Sequence, residues 1–251
     1  MMKTRLIIIA NIVLTALFAA GCADNDKTDT TDSRNLFLAS FFPDVADLLP
    51  AFVGEDITGK IVAYIPTAAK EEAGDVYEEM VNMDKSSFEK LGAIVDVLEI
   101  TDPSLDQDEI KKRLTKADFI YVGGGNTFFL LQELKRNGTD KLIIEQIKNG
   151  KLYIGCSAGS IIAAKNIEYV SIMDPIEPAP ELNGDYSAFG VVDFYIVPHL
   201  ITNSWVPSSY EESATKTIEK YFSTLKLIPV TDNQVVTVKN GKVETLTITT
   251  M

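Results

Sequence analysis

The amino-acid sequence predicts an α/β domain, a mostly parallel sheet flanked by helices on both faces. Three observations lead there. Short apolar runs alternate with stretches of helical spacing; two of the runs end in glycine-containing turns that open directly into helices; and no internal repeat or interior low-complexity segment divides the chain. With 251 residues, 46% of them hydrophobic, there is ample material for a single core.

The strand-like runs are residues 36–40, 61–66, 94–100, 119–122, 152–156 and 194–197. Between them, helical spacing appears at 71–91, 107–114, 126–136 and 140–148. Residues 167–183 contain Pro175, Pro178 and Pro180 and read as an irregular excursion of the kind that lines pockets. A helix is expected over 210–223, then strands at 227–230, 235–238 and 243–248, the last two joined by an Asn240-Gly241 turn. That tail is expected as a hairpin beside the sheet, with Asp232 at its entrance.

The first residues carry Lys3 and Arg5, then an apolar segment over 6–20, then Gly21-Cys22. The segment is short for a bilayer span, which needs about 20 apolar residues, and reads as a secretion signal. Ala19-Ala20-Gly21-Cys22 looks like a bacterial lipobox, in which the cysteine is lipidated and becomes the new N-terminus. The expected organisation is therefore a lipoprotein signal peptide at 1–21, a flexible polar tether at 22–34 and a folded domain at 35–251, held outside the cytoplasm on a membrane through Cys22. Loss of Lys3 and Arg5 takes the formal charge from −13 to −15. Such acidity argues against nucleic acid as a partner. With Cys22 lipidated, Cys156 is the one cysteine left, so no intramolecular disulfide is expected.

The chemistry begins at Gly155-Cys156-Ser157-Ala158-Gly159, between an apolar run and a helical one. A serine on a sharp strand-to-helix turn suits a nucleophile, because the turn holds its side chain clear of the sheet and the helix N-terminus faces developing negative charge. Serine needs a neighbouring base, and His199, after the 194–197 run and Pro198, is the sole histidine of the chain. Upstream, residues 119–122 run into Gly123-Gly124-Gly125-Asn126-Thr127. Those glycines can turn backbone amides toward an oxyanion, with the Ala158 amide as a second donor, while Asn126 or Thr127 caps the next helix. Neither nucleotide-binding fingerprint is met there, and one histidine with one remaining cysteine makes no metal site, so no cofactor or metal is expected.

Together, Gly123-Gly124-Gly125-Asn126-Thr127-Phe128, Gly155-Cys156-Ser157-Ala158-Gly159, Asp174-Pro175-Ile176 and Pro198-His199 resemble the peptidase S51 family, the dipeptidase E and cyanophycinase group. The resemblance covers roughly residues 35–240. It implies the three-layer fold of class I glutamine amidotransferases, similar to flavodoxin, and a serine-type peptidase acting on short peptides. It makes Ser157 the nucleophile, His199 the base, and Gly124 with Gly125 the glycine pair that helps hold the oxyanion. Asp232 falls where the family's late carboxylate lies and is favoured to orient His199, with Asp174 in a supporting part.

The sequence departs from the aspartyl dipeptidases after Pro-His, where residues 200–212 contain no arginine. A carboxylate-selective pocket normally uses a guanidinium, so aspartyl specificity does not carry over. Cys156 is the competing nucleophile, but Ser157 stands midway between Gly155 and Gly159, and Cys156 is expected to point into the sheet. The competing functions are a surface-tethered binding lipoprotein without catalysis, and an esterase or amidase using the same residues.

Overall fold

A computed structural model describes residues 33–72 and 75–248, with the backbone of Ile9–Ala10. Apart from those two residues, the segment expected as a signal peptide lies outside the described residues, as do Cys22 and the expected tether up to residue 32. Strands follow in chain order as β1 (Ile9–Ala10), β2 (Asn35–Ala39), β3 (Ile61–Ile65), β4 (Ile94–Val97), β5 (Phe119–Val122), β6 (Leu152–Cys156), β7 (Tyr195–Val197), β8 (Leu227–Pro229), β9 (Gln234–Lys239) and β10 (Lys242–Thr247). Seven of them form the main sheet in the order β10-β9-β2-β6-β5-β3-β4, and β1 adds a two-residue edge to β10. The five strands from β2 to β4 in that order run parallel, while β9 is antiparallel to β2 and β10 to β9.

Alternation along the parallel strands divides the core into two layers. Leu36, Leu38, Ala63, Ile65, Ile120, Val122 and Tyr153 belong to one. It is covered by α4 (Gln107–Lys116), α5 (Thr127–Arg136), α6 (Thr139–Lys148) and the short α7 (Ala158–Ile161). Phe37, Tyr64, Tyr121 and Ile154 face the other way, against α1 (Phe42–Val45), α2 (Leu49–Val53) and α3 (Asp75–Lys90). Rings of Phe42, Phe88 and Tyr121 cluster there with centroids 4.4–5.0 Å apart. Among the described residues, no helix is long and apolar enough to cross a membrane.

Three expectations change. The 94–100 run stops as a strand at Val97, where Glu99 gathers hydrogen bonds from Thr67, Tyr77 and Thr101 and draws the chain into a turn. The run before His199 does not join the main sheet: β7 pairs in parallel with β8 as a separate two-stranded sheet, because the free flank of β2 is taken by β9. The C-terminal hairpin is thus an extension of the sheet rather than a neighbour of it. Thirdly, the 167–183 excursion packs on α5, with Pro175 O accepting from Asn126 Nδ2 and Gln132 Oε1 accepting from Glu181 N, and it contributes nothing to the main cleft.

Candidate active site

Register aligns three loop starts along the carboxyl edge of the sheet. Ala39 of β2 lies opposite Cys156 of β6, and Val122 of β5 opposite Gly155, so Ser40, Gly123 and Ser157 emerge side by side. Ser157 has φ 46° and ψ −110°, a conformation costing on the order of 1–3 kcal/mol, held because the strand before it and the helix after it are packed. The flanking glycines supply the room. A Cβ on Gly155 would stand 2.6 Å from the Gly159 backbone, and one on Gly159 would stand 2.1 Å from Val122 O.

His199 reaches the serine from the loop after β7. Its Nε2 lies 2.9 Å from Ser157 Oγ, and its Nδ1 2.7 Å from Asp232 Oδ1. Its backbone is also left-handed, φ 62°, and its ring packs edge-on against Tyr210. Asp232, just past β8, is nearly fully buried. It accepts hydrogen bonds from Ser40 Oγ at 2.6 Å on Oδ1 and from the Asn203 N–H at 2.9 Å on Oδ2. Burial works against its ionisation, but the bonds and charge of His199, with Ser40 and the Asn203 amide, hold its pKa below the ordinary carboxylate value. The carboxylate is therefore poised to keep the Nδ1 proton of the ring in place.

The three residues favoured from the sequence thus meet, and the fourth does not. Asp174 stands apart from this hydrogen-bonded chain. Its Oδ2 accepts from Thr127 N and Thr127 Oγ1 at the first turn of α5, next to the Asn126 cap on Phe129 N. It braces the helix that follows the glycine turn and does not touch His199 in the hydrogen-bond network. Gly124 sits against Ser157, its Cβ position 3.3 Å from Ser157 Cβ, and Gly125 has φ 128°, with a Cβ there colliding with Ala68 at 2.3 Å. Among the described residues, no carbonyl takes up the N–H of Gly124, Gly125 or Ala158.

Cys156 packs in the core layer of Phe37 and Ile154 and also borders the cleft beside Ser157. Its Sγ accepts from Phe42 N and donates toward Ser40 O, and burial pushes its thiol far above the ordinary range. A cleft of about 240 Å³ opens over Ser157, His199, Gly124 and Gly125, walled by α3 and by residues 205–210. Among the described residues, no arginine or lysine lines it. Among the described residues, no group of three or more His, Cys, Asp or Glu side chains could hold a metal ion.

Sequence reading missed two side chains in this region. Ser40 was visible as the last residue of the first parallel run, an edge position where functional groups collect. Asp84 falls on the buried stripe of α3 between Val81 and Phe88, and a carboxylate on an apolar stripe was a signal.

A strained serine at the carboxyl edge of a parallel sheet, met by a histidine and a buried aspartate from the loops after a separate strand pair, defines a serine-type hydrolase. The sequence profile of peptidase family S51 matches residues 36–246, and the chain belongs to that family. It is 45% identical over 207 residues to an uncharacterized peptidase of Pasteurella multocida, covering 82% of this chain and 94% of that one. A peptidase E of Shewanella amazonensis is 34% identical over 168 residues, 66% of this chain and 65% of that protein. The crystal structure of a Listeria monocytogenes protein named for peptidase E superposes with a TM-score of 0.76 at 40% identity, covering 86% of this chain and 99% of that one.

Proposed function

We propose that this peptidase cleaves short peptides by attack of Ser157 Oγ on the carbonyl carbon of the scissile bond. His199 Nε2 takes the serine proton as the new C–O bond forms, and later delivers it to the leaving amine. Water then attacks the acyl-serine ester with the same imidazole as base, releasing the acid and restoring Ser157. Asp232 holds the Nδ1–H tautomer and stabilises the imidazolium. The N–H groups of Gly124, Gly125 and Ala158 serve the oxyanion, a contribution of about 10²- to 10³-fold per donor.

The observation that carries this reading is the continuous chain from Ser157 Oγ through His199 to Asp232, at 2.9 and 2.7 Å. The test is mass-spectrometric mapping of a fluorophosphonate probe, with His199→Ala as control. Labelling at Ser157 that disappears in the control is expected; labelling elsewhere, or equal labelling of the control, overturns the mechanism. Hydrolysis of esters without cleavage of any dipeptide would replace peptidase action with esterase action.

Cell-surface action belongs to the same proposal, supported by Lys3, Arg5, the apolar run and Cys22. Cells fed an alkynyl fatty acid should label the wild-type protein and not Cys22→Ser. Label retained in that variant removes the anchor.

A further inference from the structure

The active-site cleft contains a carboxylate that the mechanism does not use. Asp84, on α3, is only 7% exposed, lines the cleft, and accepts a hydrogen bond from Tyr64 Oη at 2.8 Å on Oδ2. The Tyr121 hydroxyl is near the same carboxylate but falls short of hydrogen-bond geometry. Among the described residues, no lysine, arginine or histidine forms an ion pair with Asp84. A buried carboxylate without a cation is costly, and where it lines a cleft a ligand can supply the missing charge.

We propose that Asp84 anchors an ammonium group of the substrate, so that the site selects peptides bearing a positive charge next to the scissile bond. This deepens the peptidase reading and rests on it. Position supports the assignment. The Cβ position of Gly123 lies 3.3 Å from Asp84 Oδ2 and that of Gly124 lies 3.3 Å from Ser157 Cβ, so one peptide unit of the glycine turn separates the anchor from the nucleophile. Val76, Met80, Met83, Trp205 and Tyr210, which line the same cleft, are apolar or aromatic and suit an aliphatic stem. The cleft's second acidic side chain is Glu79, and none of its lining residues is lysine or arginine, which disfavours an acidic substrate side chain. An ammonium seated there exchanges its hydration for a charge-assisted hydrogen bond to a desolvated carboxylate.

Burial pushes the Asp84 carboxyl up to about 6, opposed by the Tyr64 and Tyr121 hydroxyls. The other titratable groups around it are Cys156, Glu79 and His199, which line the cleft. The anchor is therefore charged above pH 6 and neutral below it.

The ammonium has two sources, the α-amine of an N-terminal residue and a lysine side chain, and matched substrates separate them. Norleucine p-nitroanilide against its N-acetyl form tests the α-amine; N-acetyl-lysine p-nitroanilide against the N-acetyl-norleucine compound tests the side chain. In one of these pairs the wild-type kcat/KM should favour the charged member by at least tenfold at pH 8. Asp84→Asn, which keeps an acceptor for Tyr64, should shrink that ratio to near one by lowering kcat/KM of the charged member far more than that of the neutral one. Ratios near one in both pairs for the wild type, or ratios unmoved by Asp84→Asn, overturn the proposal. Should the wild type cleave none of these, the peptidase reading fails separately. Calorimetry on Ser157→Ala then decides the anchor: norleucinamide or N-acetyl-lysinamide must bind at least tenfold tighter than N-acetyl-norleucinamide, and equal or absent binding overturns it.

Discussion

Ser40 Oγ stands 2.6 Å from Asp232 Oδ1, the oxygen that also meets His199 Nδ1, and the same hydroxyl accepts the His199 backbone N–H at 2.8 Å. One buried serine from the first parallel strand thus ties the loop carrying the histidine to the loop carrying the aspartate. Ser40→Ala removes a donor from the carboxylate and leaves a buried N–H unpaired, at a cost of about 1–3 kcal/mol. Dipeptide hydrolysis should lose roughly 10- to 100-fold in kcat with KM little changed, because alignment and not binding is lost. Steady-state kinetics with a thermal melt check both; a change confined to KM would place Ser40 in binding.

Asp232→Asn keeps the shape of the site but offers the ring an amide where it had a carboxylate. The expected loss in kcat is about 10³- to 10⁴-fold with the fold intact. Asp174→Asn, by contrast, should act through the start of α5, lowering thermal stability more than it lowers kcat. If the two variants lose activity equally at equal stability, Asp174 has a direct part that its position on Thr127 does not provide.

Asp84 makes the stability of the fold depend on pH. Its carboxyl is raised in the folded protein to about 6, above its ordinary value near 3.8. Stability from this group is therefore full below about pH 4 and is lost as pH rises through 6, a loss of roughly 3 kcal/mol at about 1.4 kcal/mol per pKa unit. Asp84→Asn escapes that loss. Denaturant titrations at pH 4 and pH 8 should show the variant gaining on the wild type by about that amount at the higher pH; a pH-independent difference would mean that the carboxyl titrates normally.

Cys156 should be a bystander. With its thiol buried and its pKa raised, it should resist iodoacetamide in the native protein and react once unfolded. Cys156→Ala should retain turnover within about tenfold, the loss reflecting a small cavity and the lost contact with Phe42 N. Native labelling at Cys156 that stops peptide hydrolysis would reopen the cysteine as nucleophile.

Gly159→Ala drives a methyl to 2.1 Å from Val122 O, and both partners are backbone in packed elements. Destabilisation of about 3 kcal/mol or more is expected, read as poor soluble yield or a sharply lowered melting temperature.

The order of runs and turns was legible because it depends on local chemistry. Alternating apolar strands and amphipathic helices, the glycine turn at 123–125 and the serine between Gly155 and Gly159 are spacing facts, and so is the pairing of one serine with the chain's sole histidine. Choosing between Asp232 and Asp174 rested on resemblance, since both are isolated acids near a proline or a turn. Their roles are set by which loop each joins: β8 carries Asp232 beneath His199, while the excursion after α7 drops Asp174 on Thr127. Ser40 and Asp84 lie 159 and 115 residues from His199 in sequence, separations over which composition and periodicity carry no signal. The sequence by itself determined the fold class, the turn that carries Ser157 and the place of the sole histidine, because turns and periodicities are short-range. Only the tertiary structure decided which acid meets His199, the serine that bonds to that acid and the charge of the cleft, because those depend on which strands lie side by side.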